Sequence, residues 1–393
     1  GNAQNPITLT GLPSKDSTDP QPWGGIIFID SHKGSFISFA KILGADHLGM
    51  ANSKVEVEDS AIDKTAKGVH VATASALAIS GTRISRAGEN AMNIATGGIV
   101  AMVGCTIERA AKIGIDVQQK SALRAINSTI SECETGIAII GDDSIIESCQ
   151  VKKCKGGIIV NQGGPRTVLA LNKISETQIG IYCMRFASPR IYANTVTRSE
   201  IGLRCFQRSD PEVENNIFEE NKTAILCVQM CNPGIVKNRI SKNEVGIHLT
   251  LSSYAKVEAN NIEGNKIDLE LEDMSADWER RASQKPVRSE QARNEGMTER
   301  GRATPQHIED SFKEDGATVN ARGNWWGEAT TAEMNKKGLD ADISTIKDFF
   351  DLPKRTYEGW GGEYIQDKVD YSGFLAAPVV GADVNGYRPE DKK

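Results

Sequence analysis

The stretch Ile179–Lys266 reads IGIYCMRFASPRIYANTVTRSE, IGLRCFQRSDPEVENNIFEENK, TAILCVQMCNPGIVKNRISKNE and VGIHLTLSSYAKVEANNIEGNK, four gapless copies of one 22-residue unit. A Gly or Ala opens each copy (Gly180, Gly202, Ala224, Gly246), and an apolar or thiol side chain follows three residues later (Cys183, Cys205, Cys227, Leu249). An Asn recurs at Asn194, Asn216, Asn238 and Asn260. A fixed period in the twenties means one supersecondary unit per repeat, stacked as a solenoid. The alternation Ile181-x-Cys183 has the period of a strand, and no copy holds the ten or more residues a helix needs. Three short strands and three turns use about 22 residues, which predicts an all-β, right-handed parallel β-helix.

Followed outward, the Gly column runs through Gly25, Gly49, Gly68, Asn93, Gly114, Gly136, Gly157, Gly180, Gly202, Ala224, Gly246 and Asp268. Gly, Asn and Asp tolerate a left-handed backbone, so the column is expected to mark a tight turn before each strand. The Asn column, extended to Asn172 and Asn324, predicts amides that hydrogen-bond one another along the axis. Between Asn260 and Asn324 lie 64 residues, one period plus an insertion of 42. Five segments are expected: an N-terminal strand and loop (1–22), the β-helix (23–272), a helical or flexible insertion (273–316), a last coil (317–327) and a C-terminal cap (328–393). Ile343–Phe350 reads as a short amphipathic helix within the cap, and the aromatic, Gly-rich tail as cover for the open solenoid end. The opening GNAQNPITLT reads as a mature or trimmed start, with the native chain beginning earlier.

Composition sets bounds. Charged residues make up 25% and hydrophobic residues 39%, with a formal charge of −6 and no Lys/Arg run, which argues against nucleic acid as a partner. No apolar stretch reaches transmembrane length. Of the eight cysteines, Cys183, Cys205 and Cys227 share one inward column, where they read as small buried hydrophobes. Cys133 and Cys154 fall at neighbouring positions on adjacent coils, about 4.8 Å apart, a spacing that leaves both free thiols and a disulfide open. The five histidines form no ligand spacing, and neither a metal site nor a cofactor is expected.

With Ile181 and Cys183 inward, the outward set is Tyr182, Met184 and Phe186. Later coils place Arg204, Phe206 and Arg208, then Leu226, Val228 and Met230, then His248, on the same face. Contiguous apolar and aromatic side chains on an outward face mark a covered or binding surface. Cover by Trp278, Ile308 and Phe312 of the insertion is one expectation. A binding surface anchored by Arg204 and Arg208 is the other.

Two regions carry a family resemblance. Asn5–Thr10, Trp23–Phe28 and Ser35–Ala40 resemble the opening of bacterial envelope and secreted right-handed β-helix proteins. Asn324-Trp325-Trp326-Gly327, followed by Val369-Asp370-Tyr371, resembles how such repeats finish. The resemblance implies the β-helix fold and an extracytoplasmic setting (periplasmic, cell-surface or secreted). Such relatives include carbohydrate-active enzymes, surface proteins and the periplasmic copper-accessory NosD type, so fold does not name activity. The Asn-Thr-Asp and Gly-His-Gly motifs of polygalacturonase-type hydrolases do not occur, and Asp210-Pro211-Glu212 lacks the His of the Asp-Pro-His-Asp motif of alginate-epimerase-like proteins. Asp142-Asp143, after Gly141, reads as a turn pair. The preferred expectation is a non-catalytic extracytoplasmic protein that binds a polysaccharide or a cell-envelope protein through the face around Phe206. The alternative is a polysaccharide lyase or glycoside hydrolase drawing on Asp116, Asp142, Asp143, Arg185 and Arg204.

Overall fold

A single coil shows how the repeat folds. Ile201–Phe206, Glu212–Glu214 and Ile217–Glu219 are three strands separated by bends. The next coil returns as Thr223–Val228 and pairs with the first in parallel, with Leu203 opposite Ile225, Cys205 opposite Cys227 and Phe206 opposite Val228. Leu203, Cys205, Val213 and Phe218 are buried inside the coil. Repeated along the chain, this geometry is a right-handed parallel β-helix.

A computed structural model describes residues 1–14, 17–32, 34–141, 143–278 and 318–388. The chain divides into two compact units, Gly1–Tyr182 and Cys183–Lys393. In the first unit, Ile7–Thr10 pairs with Ala40–Leu43, and the longer strand of each coil pairs in parallel with that of the next. Successive partners are Leu48 and Val69, Val69 and Met92, Met92 and Ile115, Ile115 and Ile137, and Ile137 and Ile158. The coil length therefore drifts by a residue on either side of the later period.

The second unit holds the regular repeat and its end. Asn194, Asn216, Asn238 and Asn260 each donate a side-chain N–H to Oδ1 of the next member, at 2.9–3.0 Å, and the series ends on Asn324. A second ladder, Asn221, Asn243 and Asn265, occupies another bend and ends on the carboxylate of Asp268 at 3.0 Å. Only three copies carry an Asn at this position, too few to stand out as a column in the sequence. Beyond the last coil, Ile346–Lys347 pairs with Ile267–Glu272, and the hairpin Lys354–Tyr357 with Gly362–Ile365 follows. Tyr364 donates to Asp273 Oδ1 at 2.6 Å, Tyr254 to Asp367 Oδ2 at 2.8 Å, and Gln366 to the Leu271 carbonyl at 2.8 Å. These contacts seat the tail on the final coil.

Three expectations are corrected. The expected helix at Ile343–Phe350 does not form, because Ile346 and Lys347 close the sheet edge instead. The helix of this region is Gly327–Lys337. The Gly column also has a different cause. Of its members, Gly25 and Gly68 have positive φ, but Gly114, Gly136, Gly157, Gly202 and Gly246 do not. These five lie where a side chain would strike the next coil. A Cβ on Gly202 would sit 2.6 Å from the Ala224 carbonyl oxygen, and one on Gly157 would sit 2.2 Å from that of Gly180. Close backbone approach, rather than turn geometry, selects glycine there. The long strands also end earlier than the alternation predicts, at Met184, Phe206 and Val228. The insertion lies outside the described residues from 279 to 317, so the expected cover by Ile308 and Phe312 falls there too.

Candidate functional site

On the outward face of the second unit, the long strands set two columns. Arg204, Leu226, His248 and Glu270 are partners on successive coils, as are Phe206, Val228, Thr250 and Glu272. Arg204, Phe206, Leu226, Val228 and His248 are half-buried, while Thr250 is buried. The Arg204 guanidinium lies 5.3 Å from the centre of the Phe206 ring, a cation–π contact that holds both side chains in one arrangement. His248 Nε2 lies 3.2 Å from Glu272 Oε2, and Arg355 Nη2 lies 3.5 Å from Glu272 Oε1. Met184 ends its strand half-buried. Tyr182, on the same strand, closes the first unit and is half-buried as well.

Phe186, Arg208 and Met230 do not continue these strands. The strands stop at Met184, Phe206 and Val228, and two left-handed residues follow each of them: Arg185 and Phe186, Gln207 and Arg208, Gln229 and Met230. The strand alternation therefore does not reach these side chains. They form a turn column instead, in which the Phe186 N–H donates to the Gln207 carbonyl and the Arg208 N–H to the Gln229 carbonyl, both at 3.0 Å. Arg208 Nη2 lies 3.3 Å from Met230 Sδ, and Phe186 is the most exposed of the set at 39%. None of the three carries a glycine to announce the left-handed backbone.

All eight cysteines are free and buried. Burial pushes the Cys205 thiol far up, reinforced by contact with Cys227, so Cys205 holds a neutral S–H group rather than a thiolate ligand. Among the described residues, no group of three His, Cys, Asp or Glu side chains is arranged to hold a metal ion. Cys133 and Cys154 line a shallow groove of about 740 Å³ in the first unit, beside Glu132, Lys153 and Lys155.

The first unit also brings together residues that the sequence had kept apart. Asn93 does not belong to the Gly column. It pairs with His70 on one side and Asp116 on the other, and His70 pairs with Gly49. The His47 ring lies over Gly49, where a Cβ would meet its Nε2 at 2.8 Å. His47 Nδ1 lies 2.9 Å from Asp46 Oδ2, which also accepts from Lys67 Nζ at 3.0 Å. A carboxylate can only accept, so His47 Nδ1 carries a proton. Burial, and then the neighbouring His47, hold the His70 pKa below the usual histidine range. Asp116 Oδ2 accepts from Gln118 Nε2 at 2.8 Å and Asn90 Nδ2 at 3.2 Å, yet burial still raises its pKa. Asn93 Oδ1 is buried without a hydrogen-bond partner. Of this strip, only Asp116 is a candidate site residue from the sequence. Its expected companions are elsewhere: Asp143 pairs with Arg166 at 2.6 Å, Asp142 lies outside the described residues, and Arg185 and Arg204 belong to the second unit.

Residues 22–137 and 113–267 match the model of the right-handed β-helix region. The chain belongs to that family. No curated protein matches it. Solved structures similar to this β-helix include the periplasmic alginate epimerase AlgG, at 14% identity over 64% of this chain and 74% of that one, with a TM-score of 0.42. A mutant of that epimerase has 66% of its chain covered, with a TM-score of 0.36. Pectate lyase Pel9A is similar at 10% identity over 61% of this chain and 70% of that one, with a TM-score of 0.37. Among the described residues, no helix is long and apolar enough to cross a membrane.

Proposed function

We propose that this β-helix is a non-catalytic binding protein of the extracytoplasmic space, and that it holds a glycan on the outward long-strand face of the second unit. The Arg204 guanidinium fixed over Phe206 at 5.3 Å carries this reading. A pre-positioned guanidinium presents forked donors to a carboxylate, and the aromatic edge beside it offers an apolar platform. Leu226, Val228 and Met184 extend the platform, Arg208 and Met230 border it from the turn, and His248 closes one end. Aromatic and Arg side chains are the types that anchor binding interfaces. The chemistry favours a carboxylate-bearing polysaccharide over a neutral one, and a cell-envelope protein is the other partner this face would suit.

Titration calorimetry with hexagalacturonate tests the reading. Replacing Arg204 or Phe206 with Ala should weaken binding at least tenfold while leaving the melting temperature within a few degrees. Undiminished binding by both variants would place the ligand elsewhere. The alternative, a polysaccharide lyase or glycoside hydrolase, is separated by following the release of unsaturated or reducing ends from uronate polymers. Turnover there would replace the binding reading with an enzymatic one.

A further inference from the structure

The strip in the first unit calls for a ligand of different character from the face around Phe206. It runs along the coil axis from His47, lying over Gly49, through His70 and Asn93 to Asp116, in adjacent register. Ile27 is the partner of Gly49 at one end and is 55% exposed. Ala138 and then Ile159 follow Asp116 at the other end. The polar groups are thus confined to a few coils between apolar neighbours. Adjacent coils lie about 4.8 Å apart, so Asn93 and Asp116 together offer a footprint the size of one small donor-bearing unit.

We propose that the strip is a binding site for a protonated amine with a neighbouring hydroxyl, the donor pair of a 2-amino sugar. Three observations define this ligand. Oxygen acceptors dominate: Asn93 Oδ1 and the Asp116 carboxylate. Asp116 accepts from the two neutral amides of Asn90 and Gln118. Among the described residues no cation forms an ion pair with its half-buried carboxylate. Asn93 Oδ1 has no donor at all, although buried polar atoms nearly always find one. An ammonium on Asp116 forms a charge-assisted bond about twice as strong as a neutral one. The adjacent hydroxyl then donates to Asn93, whose amide turns to meet it. An anionic sugar would be repelled by Asp116, and a wholly neutral one would leave that charge unmet. Burial disfavours a positive charge on His70, which lies between Gly49 and Asn93 in the strip.

The test uses the whole protein and three hexasaccharides: fully deacetylated glucosamine hexamer, its N-acetylated counterpart, and cellohexaose. Calorimetry should show the glucosamine hexamer binding at least tenfold tighter than the other two. Asp116→Asn should abolish that preference, and Asn93→Leu should weaken binding severalfold. Arg204→Ala, in the other unit, should leave it unchanged, so the two sites stand or fall separately. In the unaltered protein, the glucosamine hexamer should shift the His70 ring proton resonances, a readout that does not depend on any variant folding. Equal binding of cellohexaose, no binding of the amine, or retained preference in Asp116→Asn would overturn the proposal.

Discussion

Asn260 donates its side-chain N–H to Oδ1 of Asn324 at 2.9 Å, and Asn324 Oδ1 also accepts the Asn260 backbone N–H at 2.9 Å, across 64 residues of sequence. The same Asn260 NH2 also donates to the carbonyls of Ile235 at 2.8 Å and Glu258 at 2.9 Å, so its two protons are shared among three acceptors. Its oxygen accepts from both nitrogens of Asn238, at 2.8 and 3.0 Å. One fully buried side chain thus satisfies polar groups from three coils. Asn260→Leu would orphan several of them at once, each costing about 1–3 kcal/mol. Urea denaturation should show a loss of at least about 3 kcal/mol. A loss below about 1 kcal/mol would mean that the ladder contributes little.

The glycine assignment predicts opposite outcomes for one chemical change. Gly202→Ala forces a Cβ to 2.6 Å from a carbonyl oxygen and 3.0 Å from the Phe218 ring, which should cost about 1–3 kcal/mol. Gly234 has no heavy atom within 4 Å of its would-be Cβ, and its φ is not positive. Gly234→Ala should therefore stabilise by about 0.4–1 kcal/mol through the unfolded chain. Equal effects at the two positions would remove the close-approach explanation.

Asp268 sets a pH dependence of unusual sign. It replaces Gly at the final coil, accepts from Asn265 Nδ2 and Thr330 Oγ1, and burial raises its pKa from 3.8 to about 6. The folded state therefore holds this proton more tightly than the unfolded chain does. The stability it contributes is full below pH 3.8, falls as pH rises towards 6, and is flat above. Over that window the loss is about 3 kcal/mol. Asp268→Asn should remove the slope, so the variant gains stability over the parent as pH rises from 4 to 7. Parallel stability–pH curves for variant and parent would show that Asp268 is not the responsible group.

What the sequence made legible follows from where the repeat is regular. Residues 179–266 keep one period, so Cys205 opposite Cys227 and the Asn column could be read directly. In the first unit the coil length drifts, and Asn93 was placed two residues out of its column. Its pairing with His70 and Asp116 was therefore invisible. Phe186, Arg208 and Met230 were carried past the strand ends for a related reason. A left-handed pair filled by Arg, Phe, Gln and Met gives no glycine signal, because backbone hydrogen bonds to the next coil hold it in place.

The thiols offer the last prediction. Cys183, Cys205, Cys227 and Cys231 are shut away completely, while Cys133 and Cys154 are 5% and 4% exposed beside a groove. Burial raises the Cys205 and Cys231 thiols well above the usual range and the Cys149 thiol to about 11. The thiolate is the nucleophile, so the native protein should consume little Ellman's reagent at pH 8, and all eight groups should react after unfolding. The first to react should be Cys154, because its contact with Cys133 lowers the Cys154 thiol and raises that of Cys133, and mass spectrometry of a partial alkylation should identify it. Cys205→Val is a near-isosteric change in an apolar column, and it should cost no more than about 1.5 kcal/mol. Release of a metal ion on unfolding, or a loss of several kcal/mol in Cys205→Val, would give the column a role beyond packing.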